Sequence, residues 1–162
     1  MLASQLDAGE YKISKNEVNI SELAKKVYTD FNIRNSNYNL SGDFEDGLYV
    51  TGEELLLEMM ISNLIENAIK YSPKNSAVAT NLYKDKKEIH FIVRDKGPGI
   101  AEEERDKIFE KFYRIGNEAT RTTKGTGLGL YLCKQIAKDH NADISVTDNQ
   151  MKGSVFTVTF KI

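Results

Sequence analysis

Residues 53–71, EELLLEMMISNLIENAIKY, carry two stripes at helical spacing. Leu57, Ile61, Leu64 and Ala68 form an apolar stripe, which a folded chain must cover with other elements. Asn63, Asn67 and Lys70 recur at i, i+4 and i+7 and form a polar stripe beside it. The pattern predicts a helix from about Glu53 to Tyr71, stopped by Ser72-Pro73. A helix buried on one side and lined with amides on its flank makes one wall of a polar pocket. A helix with a merely solvated polar face would show the same pattern.

Strand and helix signals alternate around it. Residues 1–10 read as a fraying helix end stopped by Gly9. Val18–Ile20 reads as a short strand, and Ser21 as the N-cap of a helix from about Glu22 to Phe31, with Leu23, Val27 and Phe31 on one face. Residues 32–52 are polar and broken by glycines, with short strand signals at 38–40 and 48–51. Residues 77–84 and 88–95 read as a hairpin turned at the charged segment Asp85–Lys87. Residues 102–109 read as a short helix and 113–126 as a mobile loop. Residues 127–140 read as a helix with Leu128, Leu132 and Ile136 on one face. Strand signals at 144–147 and 154–162 close the chain, and the second alternates Val155, Thr157, Thr159 against Phe156, Val158, Phe160. The simplest fold class is α+β: a two-layer α/β sandwich in which a mixed sheet of about five strands carries about three helices on one face.

Composition narrows the class of function. The 162 residues suffice for one domain with a real core, and 40% apolar with 28% charged residues is ordinary for a soluble protein. Lys and Arg total 22 against 24 Asp and Glu, a net charge of −2, which gives no reason to expect nucleic acid as a partner. No run approaches the length of a membrane span, and no basic-then-apolar leader is visible. The lone Cys133 can form neither an internal disulfide nor a cysteine zinc site and reads as a small apolar helix residue. His90 and His140 lack any partner pattern for catalysis or metal binding and read as structural. The expectation is a domain from a reducing, cytoplasmic compartment.

Four segments carry chemistry. On the long helix, Asn67 offers a side-chain oxygen of the kind Mg²⁺ prefers, and a neutral amide does not repel phosphates bound to the same ion. Lys70 would meet phosphate as a point charge. In DKGPGI, Asp95 at a strand end can accept a hydrogen bond from the exocyclic amine of adenine, and Gly97 and Gly99 permit close approach of the backbone to a ligand. A plain strand-to-helix turn would have the same composition. In GTGLGL, the glycines at 125, 127 and 129 open a helix, whose N-terminal amides attract phosphate. Arg114, Arg121 and Lys124 before it could add charge-assisted bonds. The segment is neither a dinucleotide fingerprint, since no strand immediately precedes it, nor a P-loop, since it lacks Lys-Ser/Thr. In FEKFYR, Phe109 and Phe112 read as anchors of the loop to the core.

Together these segments resemble the sensor histidine kinases over residues 18–160. NLIENAIKYS resembles the N box, DKGPGI the first glycine box, FEKFYR the F box and GTGLGL the second glycine box, in the family's order and spacing. GSVFTVTF resembles the end of the same domain. The resemblance implies a Bergerat-fold ATP-binding domain over residues 18–162, of the kind shared with gyrase, Hsp90 and MutL. It implies ATP and Mg²⁺ as ligands, with Asn67 on the metal and Asn63 beside it, Lys70 and Tyr71 at the phosphate and sugar region, and Asp95 reading adenine. Gly97, Gly99 and Ile100 would shape the loop after Asp95. Arg114, Lys124 and the turn of Gly125, Thr126, Gly127, Leu128, Gly129 and Leu130 would contact phosphates within a flexible lid. Residues 1–17 resemble the end of a dimerisation-domain helix and its linker.

The family's phosphoacceptor histidine lies in that preceding domain, and neither His90 nor His140 fits it. The expectation is therefore a monomeric fragment without a catalytic residue of its own. Its partners would be the histidine-bearing domain of the same protein and, through the full-length kinase, a response regulator. The parent could be membrane-anchored. Asn141-Ala142 stands where the family commonly has glycines, a change confined to a turn. Three competing readings are weaker. An ATPase of this fold carries a water-activating glutamate at the position resembling Asn63, and an amide cannot act as general base. Glu66 lies about 60° or more away around the helix. A serine kinase acting on an anti-sigma partner would not carry FEKFYR. A docking module without nucleotide would not need Asn67, Asp95 and the glycines together.

Overall fold

The computed structural model describes residue 5 and residues 13–115, 127–150 and 152–162. Seven strands and three α-helices are formed among them: β1 (Asn16–Asn19), α1 (Ile20–Arg34), β2 (Asn39–Phe44), β3 (Tyr49–Gly52), α2 (Glu54–Tyr71), β4 (Ala77–Asp85), β5 (Glu88–Arg94), α3 (Gly129–Asp139), β6 (Ala142–Asp148) and β7 (Ser154–Lys161). Five strands form one sheet in the order β2-β4-β5-β7-β6. Its pairings are antiparallel except β2 with β4, the pair bridged by the crossover through α2. The expected two-layer sandwich with a mixed five-stranded sheet is therefore observed. Beside it, β1 and β3 make a separate antiparallel pair.

The alternation seen in the last strand sorts the two faces of the sheet. Phe156, Val158 and Phe160 are buried under the helices with Phe91, Val93, Val78 and Leu82. The opposite face is polar and held by its own side chains. Arg94 Nη1 donates to Asn81 Oδ1 at 2.8 Å, and His90 Nδ1 lies 3.1 Å from Thr159 Oγ1. His90 is thus a structural residue of the outer face, as expected.

Helix α2 is the centre of the helical layer. Leu57, Ile61, Leu64 and Ala68 are buried as the spacing predicts, and so are Leu56, Met60, Ile65 and Ile69. The second row is needed because α2 packs against α1 and α3 as well as the sheet. Burying each such side chain contributes roughly 1.5–3 kcal/mol. The start of α1 differs from expectation. Asn19, not Ser21, is the N-cap, accepting from the Glu22 amide at 3.0 Å. Ser21 is fully buried instead, where its hydroxyl donates to the Glu45 carbonyl at 2.6 Å and accepts from the Leu48 amide at 2.9 Å. Residues 102–109 form two separate 3-10 turns, Glu102–Glu104 and Lys107–Phe109, not one helix. Phe109 is buried edge-on to Phe156 as an anchor, whereas Phe112 is 64% exposed and is not part of the described core. No helix among the described residues is long and apolar enough to cross a membrane.

Candidate nucleotide-binding site

Strand β5 is the middle strand of the sheet, and the chain leaves it at Asp95. The Asp95 side chain is buried. Its Oδ1 accepts two backbone hydrogen bonds, from Gly97 at 2.9 Å and from Ser154 at 3.1 Å. No described residue donates to Oδ2, so the carboxylate keeps one oxygen for a ligand. Burial pushes its pKa up, and the two amide donors only partly oppose this. A buried carboxylate short of donors favours a ligand that brings an N–H.

The backbone of Asp95 is held as firmly as its side chain. Its amide donates to the Ser154 carbonyl at 3.0 Å, and the Asn149 side-chain amide donates to its carbonyl at 2.7 Å. Gly153, at φ +104°, passes so close that any Cβ there would collide with the Asp95 carbonyl. Sequence reasoning missed these three residues, Asn149 and Gly153 in the β6–β7 turn and Ser154 at the start of β7, as part of the site. The GS dipeptide where the last strand begins signalled two of them at most, and their role depends on β7 pairing with β5.

The α2 flank reaches the same place. A Cβ on Gly97 would stand 2.8 Å from the Tyr71 carbonyl, so the DKGPGI segment lies directly against the end of α2. Asn63, Asn67 and Lys70 are half-buried along that flank, and Tyr71 is exposed. The Lys70 ammonium rests 5.7 Å from the Tyr71 ring centre. On α3, burial pushes the pKa of the Cys133 thiol up to about 12, with the Asn63 side chain pulling the other way. The thiol donates to the Met60 carbonyl at 3.7 Å. Cys133 is a packing residue, as its position implied, and its bond to Met60 ties α3 to α2.

Farther along, Gly99 lies against the Gly153 carbonyl, and Ile100 packs on the core. Arg114 is half-buried. The Phe112 amide donates to the Gly127 carbonyl at 3.0 Å, and Gly127 at φ +74° has the Phe112 backbone 2.7 Å from where a Cβ would stand. Helix α3 begins after Leu128, whose own side chain makes no capping hydrogen bond. A Cβ on Gly129 would meet nothing within 4 Å among the described residues, so none of them supplies a steric reason for glycine there. A glycine at a helix N-terminus suits close approach of a phosphate-sized anion. Leu130 is half-buried against the core. Lys124, Gly125 and Thr126, with Arg121 and most of residues 1–17, lie outside the described residues.

A metal here would find no cluster of three acidic, histidine or cysteine ligands among the described residues. One amide, phosphate oxygens and water make a set that suits Mg²⁺, which keeps several waters and resists all-protein cages. The half-buried Asn67 fits that role.

Residues 52–162 match the family described as histidine kinase-, DNA gyrase B-, and HSP90-like ATPase. The chain belongs to that family. It is 33% identical over 158 residues to the sensor-like histidine kinase SenX3 of Mycolicibacterium smegmatis, an alignment that covers 96% of this chain and 41% of SenX3. The fold is also that of the mycobacterial sensor histidine kinase MprB, at 26% identity and a TM-score of 0.80, covering 91% of this chain and 97% of that one. The catalytic domain of histidine kinase ThkA superposes with a TM-score of 0.78 at 29% identity, covering 91% and 95%. The chain spans less than half the length of the curated relatives it matches first.

Proposed function

We propose that the chain is the catalytic domain of a two-component sensor histidine kinase. It binds Mg-ATP and holds the γ-phosphoryl group for transfer to a histidine on a separate dimerisation domain of the same protein, from which a response regulator is served. Asp95 carries this reading. Both backbone donors fall on Oδ1, so Oδ2 is turned to accept from the exocyclic amine of adenine, a contact that guanine with its carbonyl would not satisfy. Asn67 would hold the metal, which when bound neutralises charge on the phosphate oxygens. Lys70, the α3 N-terminus and Arg114 would orient the phosphate chain, so that positioning and charge stabilisation do the catalytic work. Tyr71 sits beside Lys70 at the edge of the pocket.

Transfer is favoured over hydrolysis because the described residues of the α2 flank offer water no base. Asn63 is an amide. Glu66, the nearest carboxylate on the helix, is exposed. The relatives' names support the same reading, and ThkA has been solved with the response regulator protein TrrA. The domain would work in the cytoplasm, where ATP is, and would be a monomer when separated from its dimerisation domain.

Calorimetric titration with ATP, with and without Mg²⁺, tests the binding. Incubation with γ-labelled ATP and the separately produced histidine-bearing domain tests the transfer. Binding, slow turnover alone and an acid-labile label on the second domain are expected. Fast hydrolysis by the chain alone would overturn the assignment, and no heat of binding would reduce it to a docking scaffold.

A further inference from the structure

The loop from Asp95 to Ile100 is tied at both ends to two consecutive residues far away in sequence, Asp148 at the end of β6 and Asn149 in the turn that follows. At its start, the Asn149 side-chain amide donates to the Asp95 carbonyl at 2.7 Å. At its end, Arg105 Nε donates to the Ile100 carbonyl at 3.2 Å, while Arg105 Nη2 donates to Asp148 Oδ1 at 2.7 Å. The turn is itself closed by the Asn149 amide on the Gly153 carbonyl at 3.1 Å, and it stacks Gly153 on the Asp95 backbone. A one-residue shift of the turn would move both ends of the loop together.

We infer that Asn149 and the Arg105–Asp148 pair are positioning residues for nucleotide binding, bracing the adenine-side loop without touching the ligand. The inference rests on the reading of Asp95 as the adenine acceptor. The Arg105–Asp148 pair is largely exposed on its acidic side, where such pairs contribute little to folding. Its distinctive property is the third partner: one guanidinium spans the turn and the loop with a fixed fork of donors. Asn149 likewise serves Asp95 through its carbonyl, which leaves both carboxylate oxygens to their own tasks. Neither device lies in the four motif segments; Arg105 falls between two of them.

The test compares Asn149→Ala, Asn149→Asp, Arg105→Ala and Asp148→Ala with the parent chain, titrated with Mg-ATP and with ADP. Each loss of a bracing bond is expected to weaken ATP by about tenfold, the scale of one hydrogen bond. ADP should weaken by the same factor, because the fault is on the base side. Asn149→Asp keeps the shape but cannot donate, so it should be no better than alanine. Arg105→Ala and Asp148→Ala combined should cost no more than Arg105→Ala alone. Melting temperatures measured without nucleotide should shift too little to account for the loss of affinity. Unchanged ATP and ADP affinities in Asn149→Ala and Arg105→Ala would overturn the brace while leaving the function reading intact. Failure of the parent chain to bind ATP would overturn both.

Discussion

At the scale of single residues, Asp95 sets the most discriminating test. In Asp95→Asn the side-chain oxygen must stay at the Oδ1 position to accept from Gly97 and Ser154, so the new NH₂ is forced into the place of Oδ2. A donor then faces the adenine amine. ATP affinity should fall at least about tenfold and GTP affinity should not fall, as calorimetry would show. The same exchange removes a buried charge whose raised pKa marks a desolvation cost in the free protein. Because the folded state holds that proton more tightly than the unfolded chain, stability declines as pH rises from the ordinary carboxylate range through the raised value. Asp95→Asn should therefore not lower the nucleotide-free melting temperature. For the metal, Asn67→Asp should change the Mg²⁺ dependence of ATP binding, and an unchanged magnesium titration would dismiss Asn67 as the ligand. Asp95 could be picked out only in company with the other motif segments, because a plain strand-to-helix turn has the same local composition. Asn149 was not legible, since 54 residues separate it from the carbonyl it serves. Nor was the bond of the Cys133 thiol to Met60, which exists only once α2 and α3 pack.

At the scale of elements, His140 joins two helices. It ends α3, and its Nε2 accepts from the Glu53 amide at 3.1 Å, capping α2, while Nδ1 donates to the Ile136 carbonyl at 2.7 Å. Burial lowers its pKa, with Lys15 adding to this and Asp139 and Glu53 opposing. A protonated ring would aim a second donor at the Glu53 amide. The stabilisation is therefore complete above the ordinary histidine pKa of about 6.5 and is lost as pH falls from there through the lowered value. Urea midpoints measured from pH 7.5 down to pH 5 should fall across that window, and His140→Gln should flatten the curve. Gly52 leaves the space that the ring occupies, so Gly52→Ala should destabilise by about 1–3 kcal/mol. The helix and strand order was readable because each long element shows its own period. The 3-10 turns at 102–109 were not, because their charged residues fit a helix equally well and only Ile108 and Phe109 are buried.

At the scale of the whole molecule, the last strand sits between β5 and β6 and pairs with both. The site draws on α2, on the exit of β5 and on the β6–β7 turn, so it cannot exist before the C-terminal residues arrive. A chain ending at Gln150 should be unfolded by circular dichroism and should not bind ATP, and a native-like spectrum from it would refute this view of the sheet. The long spacing between pairing partners places the chain among slower folders. Cys133 offers a convenient clock for that opening: with its pKa near 12 it should resist thiol reagents at pH 8 until the helices separate.

The bond between Phe112 and Gly127 pinches the chain where it departs for residues 113–126 and where it returns. Both ends of the connecting segment are thereby fixed on the sandwich by a single bond. Doubling the segment's length would cost only about 0.6 kcal/mol of closure entropy. The neck is thus a seam at which added length should leave the melting temperature of the sandwich nearly unchanged.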